Sequence, residues 1–233
     1  MKKKGNMYQT AIKTWNPFKG CRFNCKYCLT SFQLQAKRQK QDCKKCYNYE
    51  PHVHLDRLDD TLPNTGYMQF IFACSSGDIS FCKTEDFELI LDRIRNEPNK
   101  TFLLQSKNPA TFKRVNLPKN LIIGTTIETN RDALCNAICK APPPSKRYKD
   151  LLAIKHHAKM MTLEPIMEFD HKTLVKWVKK INPVMVWLGY NSYRFDNGKH
   201  VLPEPELEKV KELYFALGEF GYTVMLKTIR ERR

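Results

Sequence analysis

After residue 66 the chain alternates short apolar runs with amphipathic stretches. Residues 67–74 (Tyr-Met-Gln-Phe-Ile-Phe-Ala-Cys) form an apolar run of the length of a buried strand. Thr84 then caps a helix in which Phe87, Ile90, Leu91 and Ile94 recur at i, i+3, i+4 and i+7, and Pro98 ends it. Residues 101–105 predict a strand, Pro109 opens a short helix, and 121–127 predict the next strand. Asn130 caps a helix carrying Leu134 and Ile138, which stops before Pro142-Pro143-Pro144; a second helix runs from about 145 to 157 with Tyr148, Leu151 and Leu152 inward. Strands at 160–166, 184–189 and 223–227 alternate with two strongly periodic helices. The first, 171–181, has Leu174, Val175, Val178 and Ile181 on one face. The second, 205–220, has Leu207, Val210, Leu213, Tyr214 and Leu217 inward and Gly221 as its C-terminal cap. With 14–19 as the first strand, the pattern gives about six to seven β/α units. Strands alternating with helices imply a parallel sheet, so the expected fold is α/β, a partial or full (β/α) barrel.

Residues 29–66 break this rhythm. They are polar and basic, and they read as a loop-rich insert between the first two strands of a single domain spanning 1–233. The chain has 233 residues, 42% of them hydrophobic, enough for a sizeable core. No run of 18 apolar residues is present, so no membrane span is expected. Met1-Lys2-Lys3-Lys4-Gly5 has the charge of a secretory leader but no apolar stretch after it. Nine cysteines without an export signal point to a reducing cytoplasm and to metal binding rather than disulfides. The net charge is +16, and residues 1–50 hold twelve Lys/Arg against Asp42 and Glu50. The densest basic run, 37–45, suits a polyanion, above all nucleic acid phosphates; a solvated lysine-rich surface is the plainer reading.

The chemistry concentrates in Cys21, Cys25 and Cys28, a C-x₃-C-x₂-C array with Tyr27 before its last member. Three thiolates hold three irons of a [4Fe–4S] cluster and leave the fourth open. Small core cysteines would not sit in so polar a segment, and a zinc site would have to borrow a ligand such as Cys43 or a histidine. The spacing and the aromatic resemble the signature of the radical S-adenosylmethionine superfamily. The stretch Thr14-Trp15-Asn16-Pro17-Phe18-Lys19-Gly20-Cys21 resembles, more narrowly, an uncharacterised radical S-adenosylmethionine family of phages and prokaryotes. It is loosely similar to the spore photoproduct lyase group. Further matches run through 51–58, 77–79, 126–131, 164–170 and 226–230. The resemblance implies that the open iron chelates S-adenosylmethionine and that reduction cleaves this cofactor to a 5′-deoxyadenosyl radical. It also implies a one-electron donor such as flavodoxin or ferredoxin.

In such barrels the site lies at the C-terminal ends of the strands, and here those ends are polar. Tyr27, Gly77, Asp78, Ser106, Lys107, Glu128 and Glu164 are the candidate cofactor-binding residues. Gly77 allows close backbone approach to the cofactor ammonium, although this chain has Ser76-Gly77-Asp78 where the superfamily commonly has a Gly-Gly-Glu-like segment. Lys107 suits the cofactor carboxylate, and Ser106 and Glu128 suit the ribose hydroxyls. Glu164 serves cofactor or substrate, or else forms a rim salt bridge with Lys227 or Arg230. Cys82 is a candidate hydrogen-atom donor, Cys74 reads as core, and Cys135 and Cys139 read as apolar packing. Cys43, Cys46, His52 and His54 form a second set, open to three readings: zinc, a second iron–sulfur cluster, or no ligand. The expected function is that of a radical S-adenosylmethionine enzyme acting on a nucleic acid or nucleotide. The alternatives are the same chemistry on a peptide or small metabolite, and a non-catalytic, metal-stapled nucleic-acid-binding protein.

Overall fold

A computed structural model describes residues 8–29, 43–192 and 202–230. Seven strands form one parallel sheet: β1 (Ala11–Trp15), β4 (Phe70–Ala73), β5 (Phe102–Gln105), β6 (Leu121–Thr126), β7 (Lys159–Leu163), β8 (Met185–Leu188) and β9 (Val224–Leu226), hydrogen-bonded in that order. All six pairings are parallel, as the strand–helix alternation requires. β2 (Phe18–Lys19) and β3 (His52–Val53) form a separate antiparallel pair.

Side chains alternate across the sheet with period two. Ile71, Ala73, Phe102 and Leu104 point outward into the main core. That core is closed by α3 (Thr84–Arg95), α5 (Pro144–Ala153), α6 (His171–Ile181) and α7 (Leu207–Glu219). Phe70, Leu103, Met160, Met185 and Trp187 point the other way and close around Tyr8. The Tyr8 ring lies 5.4 Å from that of Phe72 on β4 and 4.6 Å from that of Trp187 on β8. A flat sheet would hold those strands about 19 Å apart at ~4.8 Å per step, so the sheet curls around Tyr8. The Tyr8 hydroxyl donates to Gln105 Oε1 at 2.7 Å and meets Thr162 Oγ1 at 3.0 Å. β1 and β9 are the two ends of the strand order, so the architecture is a half-barrel rather than a closed one.

The helices match the sequence pattern where their apolar stripe is complete. Phe87, Ile90, Leu91 and Ile94 of α3 are buried, as are Leu174, Val178 and Ile181 of α6. Three expectations are corrected. The first strand lies at 11–15 rather than 14–19, because Phe18 and Lys19 pair with the insert instead. α5 buries Arg147, while Leu152 is 37% exposed. The helix after Asn130 is short, α4 (Asp132–Asn136), and its buried side chain is Cys135 rather than Leu134.

Two further short helices carry the cysteine motifs, α1 (Lys26–Leu29) and α2 (Lys44–Asn48). Of the expected insert and basic run, residues 30–42 lie outside the described residues. Among the described residues no helix is long and apolar enough to cross a membrane.

Candidate active site at the mouth of the half-barrel

The loop after β2 carries Cys21 and leads into α1, which holds Tyr27 and Cys28. Gly20 sets where this loop starts. Its φ is +92°, and a Cβ there would stand 2.1 Å from the Glu50 carbonyl oxygen. On its other side Gly20 bridges Gly77 beyond the end of β4. Gly20 N donates to Ser76 O, and Asp78 N donates to Gly20 O, both at 3.0 Å. A Cβ on Gly77 would meet Gly20 O at 2.6 Å. The close approach that Gly77 permits in this structure is to the cysteine loop, a contact the sequence did not show.

Cys21 and Cys28 are half-buried thiols outside any disulfide. Burial, with Asp78 adding to it, pushes the Cys21 thiol up to about 12; burial raises Cys28 against the opposing charge of Lys107. Cys25 is buried and disulfide-bonded to Cys139, 4.1 Å away between Cα atoms. The disulfide departs from the expectation of metal binding rather than disulfides, while Cys139 also packs, as expected, in the apolar cluster with Phe23 and Met167. Two backbone hydrogen bonds dock the segment after α4 onto the cysteine loop: Lys26 N to Ile138 O at 2.9 Å and Lys140 N to Phe23 O at 2.8 Å.

Tyr27 ties this loop to two strand ends. Its hydroxyl donates to Glu128 Oε1, and Lys107 Nζ donates to both groups. Glu128 is fully buried beyond β6, and its second oxygen accepts from Arg147 Nη1 at 2.7 Å. Arg147 also donates to Pro142 O, Thr126 O and Cys135 Sγ. Burial pushes the Glu128 carboxyl up, but Arg147 and Lys107 outweigh it and hold the group down at about 2. Two cations face one carboxylate here, so the cluster carries a surplus positive charge. Lys107, 16% exposed, is its most accessible member.

Asp78 and Ser106 form the adjoining support. Asp78 Oδ1 accepts from Ser80 N, Ser80 Oγ and Ser106 Oγ, and Oδ2 accepts from Lys107 N at 2.8 Å. Ser106 Oγ in turn accepts from Asn108 N. Both groups spend their hydrogen bonds on the ends of β4 and β5 rather than on an open face.

The other candidates lie elsewhere. Glu164 pairs with Lys227 Nζ at 2.8 Å, the rim salt bridge foreseen as one of its two readings, and burial raises its carboxyl against that partner. Arg230 pairs with Glu204 instead. Cys82 is 3% exposed and packs with Cys74 in the main core, so the hydrogen-donor role expected of it would fall to a thiol inside the packing. Cys43, Cys46, His52 and His54 come together in the insert, with all four ligand atoms within 4.8 Å of one another.

Sequence reasoning passed over Arg147 and Tyr8. Arg147 lies four residues before the buried Leu151, on the helix face that turns inward, which is the signal that could have found it. Tyr8 had none, because its partners are scattered from Phe70 to Trp187.

No family model and no curated protein sequence matches the chain. Solved structures do. A spore photoproduct lyase mutant superposes with a TM-score of 0.63 over 97% of this chain and 78% of its own, at 10% identity. The chain shares its fold with that lyase and with the two structures that follow. SuiB of Streptococcus suis, solved bound to S-adenosylmethionine, gives 0.57 at 9% identity, with 95% of this chain covering 52% of SuiB. A radical S-adenosylmethionine methyltransferase from Sphaerobacter thermophilus gives 0.57 at 11% identity, over 95% of this chain and 67% of its own. The chain thus spans about half the length of SuiB and about four-fifths of the lyase.

Proposed function

We propose that this protein is a radical S-adenosylmethionine enzyme, with a [4Fe–4S] cluster on Cys21, Cys25 and Cys28 and S-adenosylmethionine beside it. The observation that carries the reading is the link from the cysteine loop through Tyr27 to Lys107 and Glu128 at the C-terminal strand ends. The donor set fits the group. Three soft thiols come from one loop at the mouth, two of them free, and two-electron reduction of the Cys25–Cys139 disulfide by a small dithiol such as dithiothreitol would release the third. A cluster held by these three thiols would supply the one-electron reduction of S-adenosylmethionine and, through it, radical abstraction of hydrogen from a substrate C–H bond.

The chain's own groups bind and orient. Lys107 offers the cofactor carboxylate a charge-assisted donor. Glu128 and Tyr27 hold the Lys107 ammonium in place, so it need not reorganise on binding. Asp78 fixes the Lys107 peptide through a hydrogen bond to its N–H, and Gly77 fixes Gly20 and hence the start of the cysteine loop. A one-electron donor of the flavodoxin or ferredoxin type and a reducing, cytoplasmic setting belong to the same reading.

For the substrate we favour a nucleic acid or nucleotide, on the strength of the +16 charge. Binding to oligonucleotides should then weaken steeply with salt. A peptide is the second reading, favoured by SuiB, which was also solved with its precursor peptide SuiA. Salt-insensitive or absent oligonucleotide binding favours it over the first.

The test is the electron paramagnetic resonance spectrum of the dithionite-reduced, reconstituted protein. We expect a [4Fe–4S] signal that changes on adding S-adenosylmethionine and is absent in Cys28→Ala. A bound cluster whose signal ignores S-adenosylmethionine would overturn the reading.

A further inference from the structure

We propose that Cys43, Cys46, His52 and His54 hold one structural zinc ion, and that this ion clamps the platform on which Cys21 sits. The four ligand atoms converge on one point. Cys43 Sγ and Cys46 Sγ each lie 3.4 Å from His52 Nε2, and Cys46 Sγ lies 3.2 Å from His54 Nε2. A tetrahedral zinc with bonds of about 2.3 Å to sulfur and 2.0–2.1 Å to nitrogen places such pairs about 3.6 Å apart. The short His-x-His spacing, closer than the helical kind, follows from the local structure. His52 lies on strand β3 and His54 just beyond it, and alternate residues of an extended chain share a face. Their rings are 4.5 Å apart.

Other observations specify the ion and its role. His52 Nδ1 meets the Glu50 carbonyl at 2.6 Å, which turns Nε2 toward the ligand set, as outer-shell partners of metal-bound histidines do. Two thiolates and two imidazoles in a tetrahedral set select zinc. A Rieske-type cluster would put its two cysteines and two histidines on different irons. Here Cys46 Sγ contacts both imidazoles, which leaves room for a single ion. All four positions are protein ligands, so the site is closed and structural rather than catalytic. Across residues 43–61 the one buried residue is Cys46, so the segment has little apolar core of its own beyond Val53 and Leu58 resting on the main core, and a metal would add to that packing at its Cys/His end.

The site is stitched to the cluster loop by five residue pairs. Lys19 pairs with His52 and Phe18 with Val53 in the β2–β3 ladder. His54 N donates to Pro17 O at 2.6 Å, Cys21 N donates to Tyr49 O at 3.3 Å, and Gly20 packs against the Glu50 carbonyl. Residues 17–21 therefore rest on the segment that the zinc folds. The metal assignment stands apart from the radical chemistry; the coupling to Cys21 rests on it.

Zinc and iron analysis of the anaerobically reconstituted full chain, with zinc K-edge absorption spectroscopy, tests both parts. We expect one zinc per chain with two sulfur and two nitrogen ligands. In Cys46→Ser, zinc affinity should fall at least tenfold, roughly the floor for losing even an outer-shell partner. Cluster iron should fall with it. Cys28→Ala should lose cluster iron and keep its zinc. A wild type that takes up cluster iron but no zinc, or a zinc with three or more sulfur ligands, overturns the site, and neither result depends on any variant folding. Zinc lost from Cys46→Ser with cluster iron unchanged overturns the clamp alone.

Discussion

Replacing Arg147 by methionine keeps most of the side-chain stem and removes the charge that faces Glu128. Both groups are completely buried, and the ion pair is 2.7 Å long. The carboxyl is held down at about 2 against the burial that raises it, by Arg147 first and then by Lys107. Breaking a buried pair by deleting one partner costs about 3–5 kcal/mol. The variant also strands Pro142 O and Thr126 O, which Arg147 now satisfies. At about 2–4 °C per kcal/mol for a chain of this size, R147M should melt about 6–20 °C lower, measured anaerobically by circular dichroism. Neutralising both partners in R147M/E128Q should recover part of that loss, because no fully buried carboxylate is then left short of its guanidinium, while Lys107, 16% exposed, keeps access to water. The acid limb has a definite sign. A carboxyl depressed in the folded state contributes stability above pH 4.5 and loses it as pH falls toward 2. R147M should therefore unfold at higher pH than the wild type. A melting point within about 2 °C of wild type, or a double variant as unstable as the two single losses combined, would refute the reasoning.

Gly77→Ala forces a Cβ to within 2.6–2.9 Å of the Gly20 and Lys19 backbone, which cannot rotate away. It should cost about 1–3 kcal/mol in thermal unfolding and lower cluster iron on reconstitution. Cys25→Ser should lose the cluster and Cys139→Ser should keep it, read as iron and sulfide content, because Cys139 partners Cys25 only in the disulfide. Lys107→Ala should weaken S-adenosylmethionine binding about ten- to hundredfold by calorimetry, the loss of one charge-assisted hydrogen bond of about 1.5–3 kcal/mol. Tyr8→Phe should cost about 1 kcal/mol and Tyr8→Ala about 3–5 kcal/mol in denaturant unfolding, if Tyr8 plugs the curl of the sheet.

The sequence carried the fold where its signals were local. α6 is observed at His171–Ile181, the expected span, because its apolar stripe runs unbroken and Asn182 closes it in the left-handed region. β1 was misplaced because its residues are mostly half-exposed, whereas Phe18 and Lys19 are buried for a different reason, pairing with the insert. The site was legible as a set of strand ends: Tyr27, Lys107 and Glu128 do meet. Their partners were not legible. Cys139 reaches Cys25 across 114 residues, and Arg147, though its spacing from Leu151 turns it inward, meets partners on β6, beyond β6 and on α4 that its own helix does not reveal. Gly77 was legible as a point of close approach but not for what approaches it, since Gly20 lies on another segment.

The measurement that bears most directly on the central proposal is formation of 5′-deoxyadenosine by the reconstituted protein with dithionite and S-adenosylmethionine, beside Cys28→Ala. The wild type should yield product and the variant none. A wild type with a full [4Fe–4S] cluster that yields no 5′-deoxyadenosine, alone or with oligonucleotides and peptides as candidate substrates, would contradict it.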